Sequence, residues 1–310
     1  MTNSRWTHRS CSAGRVAIGR VRPRVLGALA LLWVCWGSSL PAMRVLVATL
    51  PPLLVTGGIF FGAGVLLLAG RPAAVRELSG RRVLTASGIG GCLLGAQGLV
   101  AVAEQHVYAG TAALTVAAVP LWVAVLRAGL GDRPTRAGVV RVLVGFAGVA
   151  VVAFGGAGSF GWSPWTLLVL AAAVGWAAGT VWAARATDLP APYTTTVVQL
   201  LAGGLALLAA GVVAGETGEL DSAAVAPASW VAAGYLLLVD SLAGFWLYSW
   251  LLRAAPVGLV STYAYAVPVV AYTVGVLVLD EPFEPVLLAG AAAVVVSVGA
   301  ETRAAGRVGG

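Results

Sequence analysis

Few side chains in this 310-residue chain can do chemistry, and most of those lie stranded in apolar sequence. Asp240 stands about ten residues into the run Trp230–Leu252. A carboxyl at that depth can take up and release a proton, or pair with a cationic ligand. An acid hydrogen-bonded within a helical bundle for structure alone is the competing reading. Gly244 and Tyr248 follow at i+4 and i+8, on the helix face that Asp240 would occupy. Glu104 and Gln97 stand seven residues apart, two turns along one face of an earlier apolar segment. Glu104 lies near the end of that segment, so it either joins a polar site or reaches out to the interface. Gln97 is deeper and needs a hydrogen-bond partner there. An ionisable residue at the centre of a membrane helix costs about 2.5–3.5 kcal/mol on insertion scales, which makes each acid a functional candidate.

Aromatic residues supply a second kind of chemistry. Trp36 and Trp176 lie well inside apolar runs, where an indole can hold a planar or amphipathic metabolite. Trp also favours membrane interfaces, and Trp6, Trp162, Trp165 and Trp230 fit that role. Tyr263 and Tyr265 point to different faces of one helix, so only one of them can line a cavity. Pro120 and Pro268 fall in the middle of their runs, where proline removes a backbone donor and frees a carbonyl. Both are assigned a gating or hinge role and no substrate contact.

Other chemistries lack their parts. The cysteines are Cys11, Cys35 and Cys92, with no CxxC pair, and the histidines are His8 and His106. No HExxH or Cys/His cluster exists, so no metal site is expected. No serine has a histidine partner for nucleophilic catalysis. No G-x-x-x-x-G-K loop is present, which removes direct ATP coupling. The chain is expected to be no enzyme and to need no cofactor.

The elements that must position these residues are membrane helices. The chain is 59% hydrophobic and 10% charged, with mean hydropathy +0.93. A soluble domain carries about 25% charged residues. Ten apolar runs fill most of the length: Val25–Val45, Pro52–Ala69, Val83–Val102, Ala109–Leu130, Ala137–Phe154, Trp165–Ala184, Tyr193–Ala214, Trp230–Leu252, Val257–Leu277 and Val286–Ala300. About 20 residues cross a bilayer core as a helix. Val107–Pro134 repeats as Ala255–Pro282: at an offset of 148 positions, Gly110 falls on Gly258, Pro120 on Pro268, Asp132 on Asp280 and Pro134 on Pro282. Each copy is the fourth span of a five-span half, and an odd span count inverts the second half. The expected fold is an all-α membrane protein of ten transmembrane helices in two inverted five-helix repeats. The expected organisation is an Arg-rich tail at 1–24, repeats at 25–154 and 165–300, a linker at 155–164 and a short tail at 301–310.

Charge sets orientation. All nineteen basic residues are arginine. They crowd the N-terminal tail (Arg5, Arg9, Arg15, Arg20, Arg22, Arg24) and alternate connections (Arg71, Arg76, Arg81, Arg82; Arg133, Arg136; Arg185; Arg253). The intervening connections are uncharged or acidic, with Glu216, Glu219, Asp221, Asp280, Glu281 and Glu284. The positive-inside rule then puts both termini in the cytoplasm. This bias accounts for the net charge of +7 and leaves no basic face for nucleic acid. The first apolar run has no small-residue cleavage site and reads as a retained span.

Motifs through both halves carry a resemblance. They are Trp36-Gly37-Ser38-Ser39 with Ala42-Met43-Arg44; Leu50-Pro51-Pro52 with Ala63-Gly64; Gly98-Leu99-Val100 with Ala103-Glu104-Gln105; and Ala112-Ala113-Leu114 with Val119-Pro120-Leu121-Trp122. Gly145-Phe146-Ala147-Gly148-Val149 follows, then Ser261-Thr262-Tyr263-Ala264-Tyr265, Pro268-Val269-Val270-Ala271 and Asp280-Glu281-Pro282. From Trp36 to Gly299 the chain resembles the EamA type of the drug/metabolite transporter superfamily, in its bacterial inner-membrane exporter branch. The chain departs from the usual pattern at Ile59, Val267, Asp280 and Asp240, where members commonly have Arg, Asn, Gly and a small residue. The resemblance implies export of a small metabolite or drug across the bacterial cytoplasmic membrane by alternating access, and the acid within a span makes a proton gradient the expected drive. Read from the polar and aromatic residues within the spans, the candidate substrate site comprises Trp36, Ser39, Gln97, Glu104, Trp176, Asp240, Tyr248, Tyr263 and Tyr265, with Asp240 and Glu104 as proton-coupling candidates. A facilitative exporter without ion coupling and a non-transporting or lipid-handling membrane component are the rival readings. A homodimer is compatible with the sequence.

Overall fold

Proline sets where several helices begin. Pro52, Pro164, Pro192 and Pro227 each open a helix. There the missing N–H would have had no intrahelical partner and the fixed φ is already helical. The computed structural model describes residues 23–73, 79–131, 135–155, 163–220, 224–254 and 263–283, with 285, 288–290, 292–293 and 295–296 beyond them.

The described residues form helices and no strand. In order these are α1 (Pro23–Gly37), α2 (Ser39–Leu46), α3 (Pro52–Gly70), α4 (Gly80–Glu104), α5 (Ala109–Val116), α6 (Val119–Gly129), α7 (Arg136–Gly155), α8 (Pro164–Arg185) and α9 (Pro192–Val213). A 3₁₀ turn at Glu216–Gly218 leads to α10 (Pro227–Tyr235), a π-helical segment at Leu236–Gly244, α11 (Phe245–Ala254) and α12 (Tyr263–Val278). Seven stretches are long and apolar enough to cross a membrane: Pro23–Leu46, Pro52–Gly70, Gly80–Glu104, Ala109–Gly129, Pro164–Arg185, Pro192–Val213 and Pro227–Tyr248. α7, with Arg136 and Arg141, and the shorter apolar part of α12, Ala266–Val278, fall where further runs were expected. The N-terminal tail, the 155–164 linker except Gly155, Ser163 and Pro164, most of the expected last run and the C-terminal tail lie outside the described residues. Leu84, Val213, Val231 and Trp246 turn apolar side chains outward. That surface suits lipid as the surrounding solvent.

Small residues bring the helices together. α3 packs along α9, and α4 packs against both α8 and α9. At the α3–α9 crossing, a β-carbon on Gly57 would lie 2.7 Å from the Leu208 nitrogen, and one on Gly204 would lie 2.5 Å from the Phe61 nitrogen. Only backbones without side chains approach so closely, the usual device of membrane helix pairs. Elsewhere α5 packs on α12, α1 on α12 and α11, and α6 on α8.

Three membrane-depth stretches depart from regular α-helix. α1 gives way to α2 at Ser38, whose hydroxyl bonds the Tyr235 hydroxyl at 2.6 Å. α5 and α6 meet at a break over Ala117–Ala118, just before Pro120. With no proline N–H to continue the ladder, the backbone tightens: Ala118 N–H donates to Thr115 (3.1 Å) and Leu121 N–H to Ala118 (2.9 Å). Pro268, its sequence counterpart, sits inside the continuous α12. The third departure is the π-helical segment, which carries Asp240.

Candidate functional site

Asp240 is buried at 8% exposure, halfway along the π-helical segment. Wide turns of this kind are rare in α-helical proteins and cluster at functional positions. The residues facing it come from the α1–α2 junction: Ser39 reaches its carboxyl, and Cys35 lies close enough to feel its charge. The Ser39 hydroxyl also donates to the Trp36 carbonyl at 2.7 Å.

One turn further, the Trp36 indole covers Gly244. Its ring centroid is 5.1 Å from Tyr248 and 4.8 Å from Tyr263, the latter edge-on, and Tyr248 meets Tyr263 edge-on at 5.9 Å. The expected shared face of Asp240, Gly244 and Tyr248 therefore does meet one partner surface, the stretch from Cys35 to Ser39. A buried acid one turn from a cluster of three electron-rich rings has the chemistry to hold a positively charged or aromatic small molecule, because ring faces attract cations.

Trp176 belongs to a neighbouring patch. The indole is half-buried on α8 against Ala96, Val100, Ala103 and Val169, and Leu40 of α2 touches the same cluster. Gln97 lies half-buried on α4. Glu104 stands in a third group at the end of α4, at 1% exposure, and Arg44 and Glu281 supply its nearest charges. The expected substrate-site residues whose side chains are described thus do not converge on one place. Tyr265 and Pro120 lie within helices, but their side chains are outside the described residues.

Two members of the Glu104 group were not singled out as site candidates from the sequence. Arg44 entered only as a motif residue, and Glu281 as a motif residue and as an acid in an acidic connection. A usable signal was present: Arg44 sits at the end of the first run that the charge bias assigns to the arginine-poor side. An arginine there implies buried partners. A cavity of about 220 Å³ lies at the opposite end of α4, lined by Arg81, Thr85, Trp182, Arg185 and Asp188. Arg82 pairs with Asp188 there at 3.0 Å. None of the expected site residues borders it.

The model of the EamA-like transporter family matches residues 25–154 and again 163–300. The chain belongs to the EamA-like transporter family. The resemblance seen in the motifs is thereby established, and with it a general role in transport. Among EamA relatives, the uncharacterized inner membrane transporter YedA of Escherichia coli K12 is 34% identical over 255 residues, which is 81% of each chain. The uncharacterized transporter YvbV of Bacillus subtilis is 27% identical over 275 residues, 87% of this chain and 88% of its own. A probable terminal-alkyne amino-acid exporter of Streptantibioticus cattleyicolor is 32% identical over 280 residues, 87% of this chain and 90% of its own. A solved crystal structure, 22% identical, superposes with a TM-score of 0.64 over 92% of this chain and 98% of its own. That likeness carries the fold.

Proposed function

We propose that this EamA-like transporter exports a small amino-acid-like or cationic, aromatic metabolite or drug across the bacterial cytoplasmic membrane, by proton antiport with alternating access. The architecture we propose for it is ten helices in two inverted five-helix repeats, with both termini cytoplasmic. Support comes from the twofold match of the family model, at 25–154 and 163–300. It comes also from helix pairs that mirror one another across the halves: α4 on α8 corresponds to α11 on α1, and α6 on α8 to α12 on α1. Inverted repeats hold substrate at their interface, often beside interrupted helices.

The observation that carries the reading is Asp240, buried in a π-helical segment whose last residue, Gly244, lies under the Trp36 indole of the Trp36, Tyr248 and Tyr263 cluster. Substrate and proton would compete for this carboxyl. Binding substrate on the cytoplasmic side displaces the proton, and taking up a proton on the other side displaces substrate. The exporter relative of Streptantibioticus cattleyicolor supports an amino-acid-like cargo.

The test is uptake into proteoliposomes over a panel of amino acids, amines and aromatic cations, with and without a pH gradient. Asp240→Asn keeps the volume and cannot titrate. It is expected to abolish gradient-driven transport and to leave substrate binding partly intact. Transport by Asp240→Asn with an unchanged pH profile would assign the acid a structural role.

A further inference from the structure

Arg44, Glu104 and Glu281 meet at the end of the bundle that the arginine distribution assigns to the outside, and the two carboxyls there are treated very differently. Glu281 is fully served. Its Oε1 accepts from the Ala109 N–H at 2.7 Å and its Oε2 from the Gly110 N–H at 3.1 Å, at the start of α5. The positive end of a helix favours such a charge. The Arg44 Nε lies 4.0 Å from Oε1. The backbone is shaped for this arrangement. Asp280 takes the left-handed conformation (φ 53°), which turns the chain back so that the Glu281 N–H donates to Gly275 at 3.1 Å. A side chain on Gly275 would collide with the Glu281 carboxylate.

Glu104 is not served. Both of its carboxyl oxygens are buried and accept nothing. The charged groups facing it are Arg44 from α2 and Glu281 from the segment after α12. Arg44 spends its NH1 on the Glu104 and Val107 main-chain carbonyls and lies over the Tyr108 ring. His106, two residues on, stacks on Trp165 of α8 at 3.8 Å. A buried carboxylate with no donor is strongly penalised, whereas a neutral carboxylic acid in the same place is tolerated. The arrangement therefore suits Glu104 with its proton on, and leaves Arg44 to the two main-chain carbonyls and to the Glu281 carboxylate 4.0 Å away.

We propose that Arg44, Glu104 and Glu281 form a proton-operated latch that ties α12 to the α4–α5 corner and closes the outer side of the substrate path. This rests on the transport reading above and adds its regulation. When Glu104 gives its proton to water at the outer mouth, the O–H bond breaks and the electron pair stays on the carboxylate. The new charge attracts Arg44 and repels Glu281, so the link between α12 and α5 loosens. Proton uptake from outside restores the closed arrangement. Asp240 then exchanges proton for substrate, while Glu104 closes the outer side once a proton has arrived.

The test reads opening directly and needs no substrate. Leu114, at 3% exposure, packs against Tyr272 and Val276 across the α5–α12 seam. Leu114→Cys, in a chain with Cys11, Cys35 and Cys92 changed to Ala, is exposed from outside to an impermeant maleimide. With every rate divided by that of the same reagent on free cysteine at the same pH, since only the thiolate reacts, labelling is expected to run several-fold faster in mildly alkaline than in mildly acid medium. Glu104→Gln should label slowly in both, and Glu281→Gln quickly in both. Should Glu104→Gln fail to reach the membrane, Arg44→Gln takes its place and should label quickly in both. Labelling of Glu104→Gln that follows pH as the parent does, or a Glu281→Gln or Arg44→Gln variant that stays closed, overturns the latch. Asp240→Asn serves as the separating control: it should lose gradient-driven transport and keep the pH response of labelling.

Discussion

Trp36 lies across Gly244, with its indole nitrogen 2.5 Å from the place a β-carbon would occupy. No other residue type fits under that ring. Gly244→Ala must push the indole away from Tyr248 and Tyr263, at an overpacking cost of about 1–3 kcal/mol. A loss of that order in the bound state corresponds to roughly tenfold weaker substrate binding. Equilibrium binding to the purified variant checks this, and unchanged affinity would separate the aromatic cluster from the substrate.

Glu216 serves α3 as Glu281 serves α5. Its carboxylate accepts from the Leu53 N–H at 3.1 Å and the Leu54 N–H at 2.8 Å, tying the end of α9 to the start of α3. Loss of a helix cap costs about 1–2 kcal/mol. Glu216→Ala is expected to lower the unfolding temperature in detergent and to leave the pH profile of transport where it was. A shifted profile would mean that Glu216 also takes part in coupling.

The α3–α9 crossing should be intolerant of bulk. Gly204→Val places branched carbon where the Phe61 backbone already lies. The variant is expected to lose folded yield or several degrees of thermal stability, measured by fluorescence-detected size exclusion. Gly58, with nothing within 4 Å of its β-position, is the matched control, and Gly58→Ala should be nearly neutral.

Orientation follows from arginine. Reporter fusions at the C-terminus should be active only as cytoplasmic markers, and fusions next to Glu216 only as outer ones. A C-terminus found outside would require an odd number of spans.

The helices were legible because their signal is long-range and simple. Runs such as Pro52–Ala69 and Tyr193–Ala214 reappear as α3 and α9 with nearly the same ends, since a bilayer demands an uninterrupted apolar length and proline marks the start. Asp240 was legible for the converse reason, as a charge with no reason to lie in such a run. The π-helical turn around it was not. Its sequence, Leu236–Gly244, has the composition of any apolar helix, and the wider turn arises among tertiary neighbours such as Trp36. The separation of Trp176 from Trp36 was equally hidden, because a place well inside an apolar run does not say which neighbours each side chain meets. Glu281 was concealed by its setting: an acid in an acidic loop gives no hint that the start of α5, far away in sequence, holds both its oxygens.

The break before Pro120 and the unbroken helix through Pro268 make duplicated segments into unlike machine parts, one a jointed arm and the other a one-piece lever. In a cycle that exposes the site to each side in turn, the two strokes then bend different members. A joint costs little to flex, whereas a lever must move whole or carry its strain into the loop at Asp280. In the proposed cycle, the mismatch in stiffness would set which stroke is slow, and hence which side the carrier waits on between turnovers.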